Sequence, residues 1–170
     1  IYKAKCAHIM RDAGAGKKKI EEEEQSGRKR RIQRKKRGFG ENENEEVLAA
    51  LALIRDWPDT DSNIGLAGYS FGTSVILGHT GLYSEVQAIA LVSPSFRSVE
   101  GTDLKESQLP VLITTGDRDR LVDSEQLDTE LASFKNAPEF QLFDGVDHFW
   151  YGQEARLVPE VSRFFSEKLK

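Results

Sequence analysis

The chain has 170 residues, with 24 Lys and Arg against 28 Asp and Glu and a formal net charge of −4. That length suits one domain with a sizeable core. No apolar run approaches the roughly 20 residues of a membrane-spanning helix. No apolar stretch follows the N-terminal charges as in a secretory leader, and the lone Cys6 excludes an internal disulfide and a Cys-based zinc site. A cytoplasmic setting is therefore the expectation.

The net charge conceals a break. Residues 1–40 carry 14 basic and 5 acidic side chains, whereas residues 41–170 carry 10 basic and 23 acidic ones. The first stretch is charge blocks, Lys17 to Lys19, Glu21 to Glu24 and Arg28 to Arg37, the pattern of a solvated segment. Nucleic-acid tethering by residues 28–37 is the weaker reading, because stacking aromatics are not interleaved with the bases. Ala13-Gly14-Ala15-Gly16-Lys17 lacks the spacing and the following Ser or Thr of a phosphate loop.

The texture changes after Gly38-Phe39-Gly40. Val47, Leu48, Leu51, Leu53, Ile54 and Trp57 fall mostly at helical spacing, which predicts a helix over Glu45–Trp57 that Pro58 stops. Asn63–Tyr69 reads as a strand running into a glycine turn, and Phe71–Gly78 as a helix. Val86–Val92 and Pro110–Thr115 are further apolar strands. Ser124–Phe134 is an amphipathic helix, Phe140–Phe143 a fourth strand, and Leu157–Leu169 a last helix facing inward through Leu157, Val161, Phe164, Phe165 and Leu169. Continuous apolar strands alternating with helices predict a three-layer α/β sandwich with a mostly parallel buried sheet. Ligand sites in such sheets lie beyond the carboxyl ends of the strands.

Three strand ends carry polar residues able to do chemistry. Gly68-Tyr69-Ser70-Phe71-Gly72 fits G-x-S-x-G between a strand and a helix, the context in which that pattern means a nucleophile elbow. The helix behind Ser70 would aim the Phe71 N–H at a developing oxyanion. After the third strand come Asp117 and Asp119, either of which suits a carboxylate orienting a base, and at least one of which should be a turn residue. After the fourth comes His148. The other histidines, His8 and His79, lie in the charged segment and at a helix end. Tyr69, Phe96, Phe149 and Trp150 are candidates either for an apolar wall beside Ser70 or for the core.

With these residues in chain order Ser, Asp, His, residues 38–170 resemble the C-terminal two-thirds of an α/β-hydrolase. Within that superfamily the lidless, dienelactone-hydrolase-like enzymes are most similar, since Ser95 to Leu109 is too short for a substantial cap. The resemblance implies that the acid is Asp119, from the G-x-x-D pattern Gly116-Asp117-Arg118-Asp119. It implies that Gly145-Val146-Asp147-His148 supplies the histidine, and that Arg37-Gly38-Phe39-Gly40 is the turn leading to the helix before the elbow. It further implies a carboxylesterase-like serine hydrolase with Ser70, Asp119 and His148 catalytic and Phe71 on the oxyanion. The substrate would be a small acyl compound, with no metal or cofactor. The family's earlier strands and second oxyanion donor have no counterpart in residues 1–37, so those strands are expected to be missing or replaced. This motivates a rival reading, a non-catalytic binding module whose open sheet edge would favour a homodimer.

Overall fold

The computed structural model describes residues 41–57 and 63–169. The charged segment 1–37, the turn at 37–40, Cys6, His8 and the Pro58 stop lie outside the described residues. The first helix, α1, spans Glu41–Arg55. Val47 and Leu51 are its buried apolar residues, and Leu48 and Ile54 pack against the core beside them. Leu53 and Trp57, part of the expected apolar stripe, face outward.

Four strands follow: β1 (Gly65–Tyr69), β2 (Ala88–Val92), β3 (Val111–Gly116) and β4 (Glu139–Phe143). They pair in the order β1-β2-β3-β4, all parallel, with Gly65 opposite Ala88, Ile89 opposite Val111 and Leu112 opposite Glu139. The helices between them are α2 (Phe71–Leu77), α3 (Phe96–Glu100) and α4 (Ser124–Leu131), with α5 (Glu154–Lys168) last. The sequence did not signal α3 or the 3₁₀ segments Thr80–Glu85 and Asp103–Glu106, each a turn or two long. None forms a cap domain. No helix among the described residues is long and apolar enough to cross a membrane.

The two faces of the sheet differ in side-chain size, and this decides which helix covers which. Leu66, Ile89, Leu91, Val111 and Ile113 point to one face, where they join Val47, Leu51, Val75, Ile76, Leu127 and Leu131 from the helices. The opposite face presents Ala67, Ala88, Ala90 and Leu112, and into that shallow surface α5 sets Phe164 and Phe165. The space is tight: a Cβ at Gly65 would stand 2.4 Å from the Phe165 ring. Burying two phenyl rings contributes about 1.5–3 kcal/mol each, enough to hold α5 in place. The helix also begins three residues before the Leu157 start read from the apolar pattern. Pro159 lies inside it, where it removes one backbone donor without ending the helix. Strand β4 is one of the two edges of the described sheet, and its Gln141 and Leu142 are exposed rather than covered.

Candidate active site

All the chemistry-bearing residues singled out in the described part of the chain lie at the carboxyl ends of β1, β3 and β4. Ser70 forms the turn between β1 and α2 with φ of 49°, and its N–H donates to the Val92 carbonyl at 2.9 Å. A β-carbon costs roughly 1–2 kcal/mol in that left-handed region. The two flanking glycines are not equivalent. A Cβ at Gly68 would stand 2.8 Å from the Gly72 backbone and 2.7 Å from Ile76, so the close strand–helix approach requires glycine there. At Gly72 a Cβ would meet nothing within 4 Å, so the steric need for glycine holds at Gly68 alone.

His148 is brought to Ser70 by the loop after β4. Ser70 Oγ and His148 Nε2 are 2.8 Å apart. On the far side of the ring, Nδ1 lies 2.8 Å from one Asp119 oxygen and 3.1 Å from the other. The Asp119 side chain is wholly buried and that of His148 is 12 % exposed. Asp119 is fixed in turn by the Leu121 N–H, which donates to Oδ1 at 2.9 Å. Asp117, the other carboxylate left open by the residues, has a different partner. It accepts the Gly145 N–H at 2.7 Å and so ties the end of β3 to the turn that begins the histidine loop.

The start of that loop is tied to the end of β3. The Asp117 N–H donates to the Phe143 carbonyl and the Arg118 N–H to that of Val146. A Cβ at Gly116 would lie 2.0 Å from the Val146 oxygen, so only glycine lets the backbones approach this closely. Two further contacts hold the loop from the side of β1 and β2. The Tyr69 hydroxyl donates to the His148 carbonyl at 2.6 Å, and the Trp150 indole N–H donates to Ser93 Oγ at 3.1 Å. Burial first, then the negative charge of Asp119 and further contributions from Tyr151 and Asp147, push the Tyr69 phenol above its ordinary value and keep it a donor. Ser70, Ser93 and Trp150 are the positive-φ residues other than glycine among the described ones, and they surround one spot. Strain concentrated there marks a place where tertiary contacts overrule local preference.

A cavity of about 260 Å³ opens beside Ser70, lined by Phe71, Ser74, Ser93, Ser95, Leu121, Val122 and His148. The sequence reading named Phe71 and His148 but not the serines, Leu121 or Val122. The run Ser93-Pro94-Ser95 is the available signal, since it lies at the end of β2, beside the strand ends that carry Ser70 and Asp119. Of the four aromatic candidates, Trp150 is core, packed edge-on to Phe143 at 5.0 Å. Tyr69 is the tether just described. Phe149 is exposed and lies edge-on to His148, while Phe96 lines a separate depression against α4. His79 precedes the Thr80–Glu85 segment and is not among the residues around the cavity.

A parallel sheet between helix layers, with serine, carboxylate and histidine in that chain order at the ends of β1, β3 and β4, defines the α/β-hydrolase fold. Solved structures agree. A lidless α/β serine hydrolase from Xanthomonas campestris matches with a TM-score of 0.64 and 24% identity over 78% of this chain and 60% of its own. An α/β serine hydrolase homologue from Coxiella burnetii matches at 0.60 and 26%, over 75% and 61%. An esterase from Pyrococcus furiosus matches at 0.61 and 14%, over 79% and 65%. The chain thus spans about three-fifths of the length of these structures. The family model for the dienelactone hydrolase family matches residues 2–163, and the chain belongs to that family. The matched span begins well before the 38–170 stretch that carries the resemblance in the sequence. No curated protein matches the sequence.

Proposed function

We propose that the chain carries the active site of a serine hydrolase cleaving an ester or related acyl substrate through an acyl-enzyme. Ser70 attacks the acyl carbonyl while His148 Nε2 takes its proton. His148 then returns the proton to the leaving group, and a water activated the same way releases the acid. Asp119 holds the imidazole in the tautomer with hydrogen on Nδ1 and stabilises the imidazolium as it forms. Phe71, first residue of α2 and part of the cavity wall, offers its backbone N–H to the oxyanion.

The observation that carries this reading is the unbroken line Ser70 Oγ, His148, Asp119, with 2.8 Å at each junction and a carboxylate shielded from water. A buried carboxylate facing an imidazole that faces a strained serine is costly to build for packing alone. Membership of the dienelactone hydrolase family and the likeness to an esterase add to it. Hydrolysis of p-nitrophenyl acetate, abolished in Ser70→Ala protein that melts like wild type, is the expected result. Equal turnover by both proteins would leave the rival reading, a non-catalytic binding module.

A further inference from the structure

The serine side chains around the cavity contain more hydroxyl hydrogens than the protein gives them acceptors. Ser74 Oγ is 2.9 Å from Ser98 Oγ, and Ser98 Oγ is 2.7 Å from Ser95 Oγ. Each hydroxyl owns a single hydrogen. Two links among three hydroxyls leave one O–H over, and in two of the three possible sets of directions it belongs to Ser74 or Ser95. Both ends of the chain, Ser74 and Ser95, line the cavity. Ser93 adds a second spare donor. Indole N–H can only donate, so in its contact with Trp150 the Ser93 oxygen accepts, and its own hydrogen is left over. Ser93 is 1 % exposed and borders the same cavity, so bulk water does not satisfy it. No Lys or Arg belongs to the lining.

Resting on the serine-hydrolase reading, we propose that the cavity selects an uncharged acyl group bearing a second acceptor oxygen, an oxo, alkoxy or lactone ring oxygen, near the scissile carbonyl. Ser93 and the Ser74–Ser98–Ser95 chain donate to that oxygen and determine specificity. A carboxylate in the same place would be desolvated without a counter-charge, whereas a methylene would leave buried donors unpaired.

The probes are 4-nitrophenyl methoxyacetate and 4-nitrophenyl butyrate, which differ by one oxygen in place of one CH₂. Intrinsic reactivity cancels when the ratio of their kcat/KM values is compared between proteins. That ratio should fall about five- to thirty-fold in Ser93→Ala and in the Ser74→Ala, Ser95→Ala double variant. Ratios unchanged in both serine-deleted proteins overturn the proposal. A readout independent of turnover uses Ser70→Ala protein titrated with N-methyl methoxyacetamide and N-methylbutyramide. Amide shifts at Ser74, Ser93 and Ser95 that respond to the ether and not to the hydrocarbon support the proposal even if neither ester is hydrolysed. Equal responses, or none, overturn it. Absent turnover with a selective response would count against the hydrolase reading alone.

Discussion

Replacing Trp150 with Phe tests how the histidine loop is held. The indole is 4 % exposed, its N–H donates to a Ser93 hydroxyl 57 residues earlier, and its ring packs on Phe143. Phenylalanine tolerates the same backbone but loses the donor and part of the ring. Leaving the buried Ser93 oxygen short of a partner costs about 1–3 kcal/mol. The incompletely filled space adds about 1–2 kcal/mol. Trp150→Phe should therefore lose about 2–5 kcal/mol in urea unfolding, and Ser93→Ala about 1–2 kcal/mol. The hydrogen bond can be lost only once, so the double variant should be less destabilised than the sum by about 1 kcal/mol. Labelling of Ser70 by a fluorophosphonate should also slow in Trp150→Phe. Additivity within 0.5 kcal/mol would refute the claim that this contact ties β2 to the loop.

Other substitutions read separate parts of the structure. Asp119→Asn keeps an acceptor for the Leu121 N–H but turns an amide toward His148, so kcat should fall about 10⁴-fold; a loss below tenfold in pre-steady-state acylation would remove Asp119 from its role. Gly116→Ala should destabilise by about 3 kcal/mol or more, because its Cβ would overlap the Val146 carbonyl, whereas Gly72→Ala should stabilise by about 0.5–1 kcal/mol in thermal melts. Glu139 is held below the ordinary carboxylate range by hydrogen bonds from Arg163 first and then Lys168. A lowered folded-state value stabilises above the unfolded value and is lost as pH falls through the folded one. Glu139→Gln should thus cost less than about 1 kcal/mol at pH 7, given how exposed the pair is. The difference from wild type should begin to shrink only as pH falls below the ordinary carboxylate range and vanish once it is below Glu139's lowered folded value, when melting temperatures are compared across pH.

Much of this was legible in the chain because it is local. Ala88–Val92 is apolar from end to end, which only a strand buried on both faces tolerates. The elbow is readable because Gly68 and Ser70 are two residues apart, and Asp119 and His148 each follow a strand of their own. What the residues did not reveal is pairing across distance. Nothing near Trp150 announces that its partner is Ser93, and nothing near Tyr69 points to the His148 carbonyl. The same holds for the Ser74–Ser98–Ser95 chain, which joins two helices separated by a strand. Gly72 shows the opposite error: a motif position carries a steric reason in general that its own surroundings here do not supply. Helix α5 was read three residues short because its first turn is polar and its Pro159 resembles a start signal.

The central claim is that Ser70 is activated by His148 and Asp119. Treating the folded chain with a fluorophosphonate probe and locating the adduct by peptide mass spectrometry tests it most directly. The account predicts a single adduct on Ser70, lost in Ser70→Ala and slowed at least a hundredfold in His148→Ala. An unlabelled Ser70 in folded protein, or labelling that persists unchanged without His148, would contradict it.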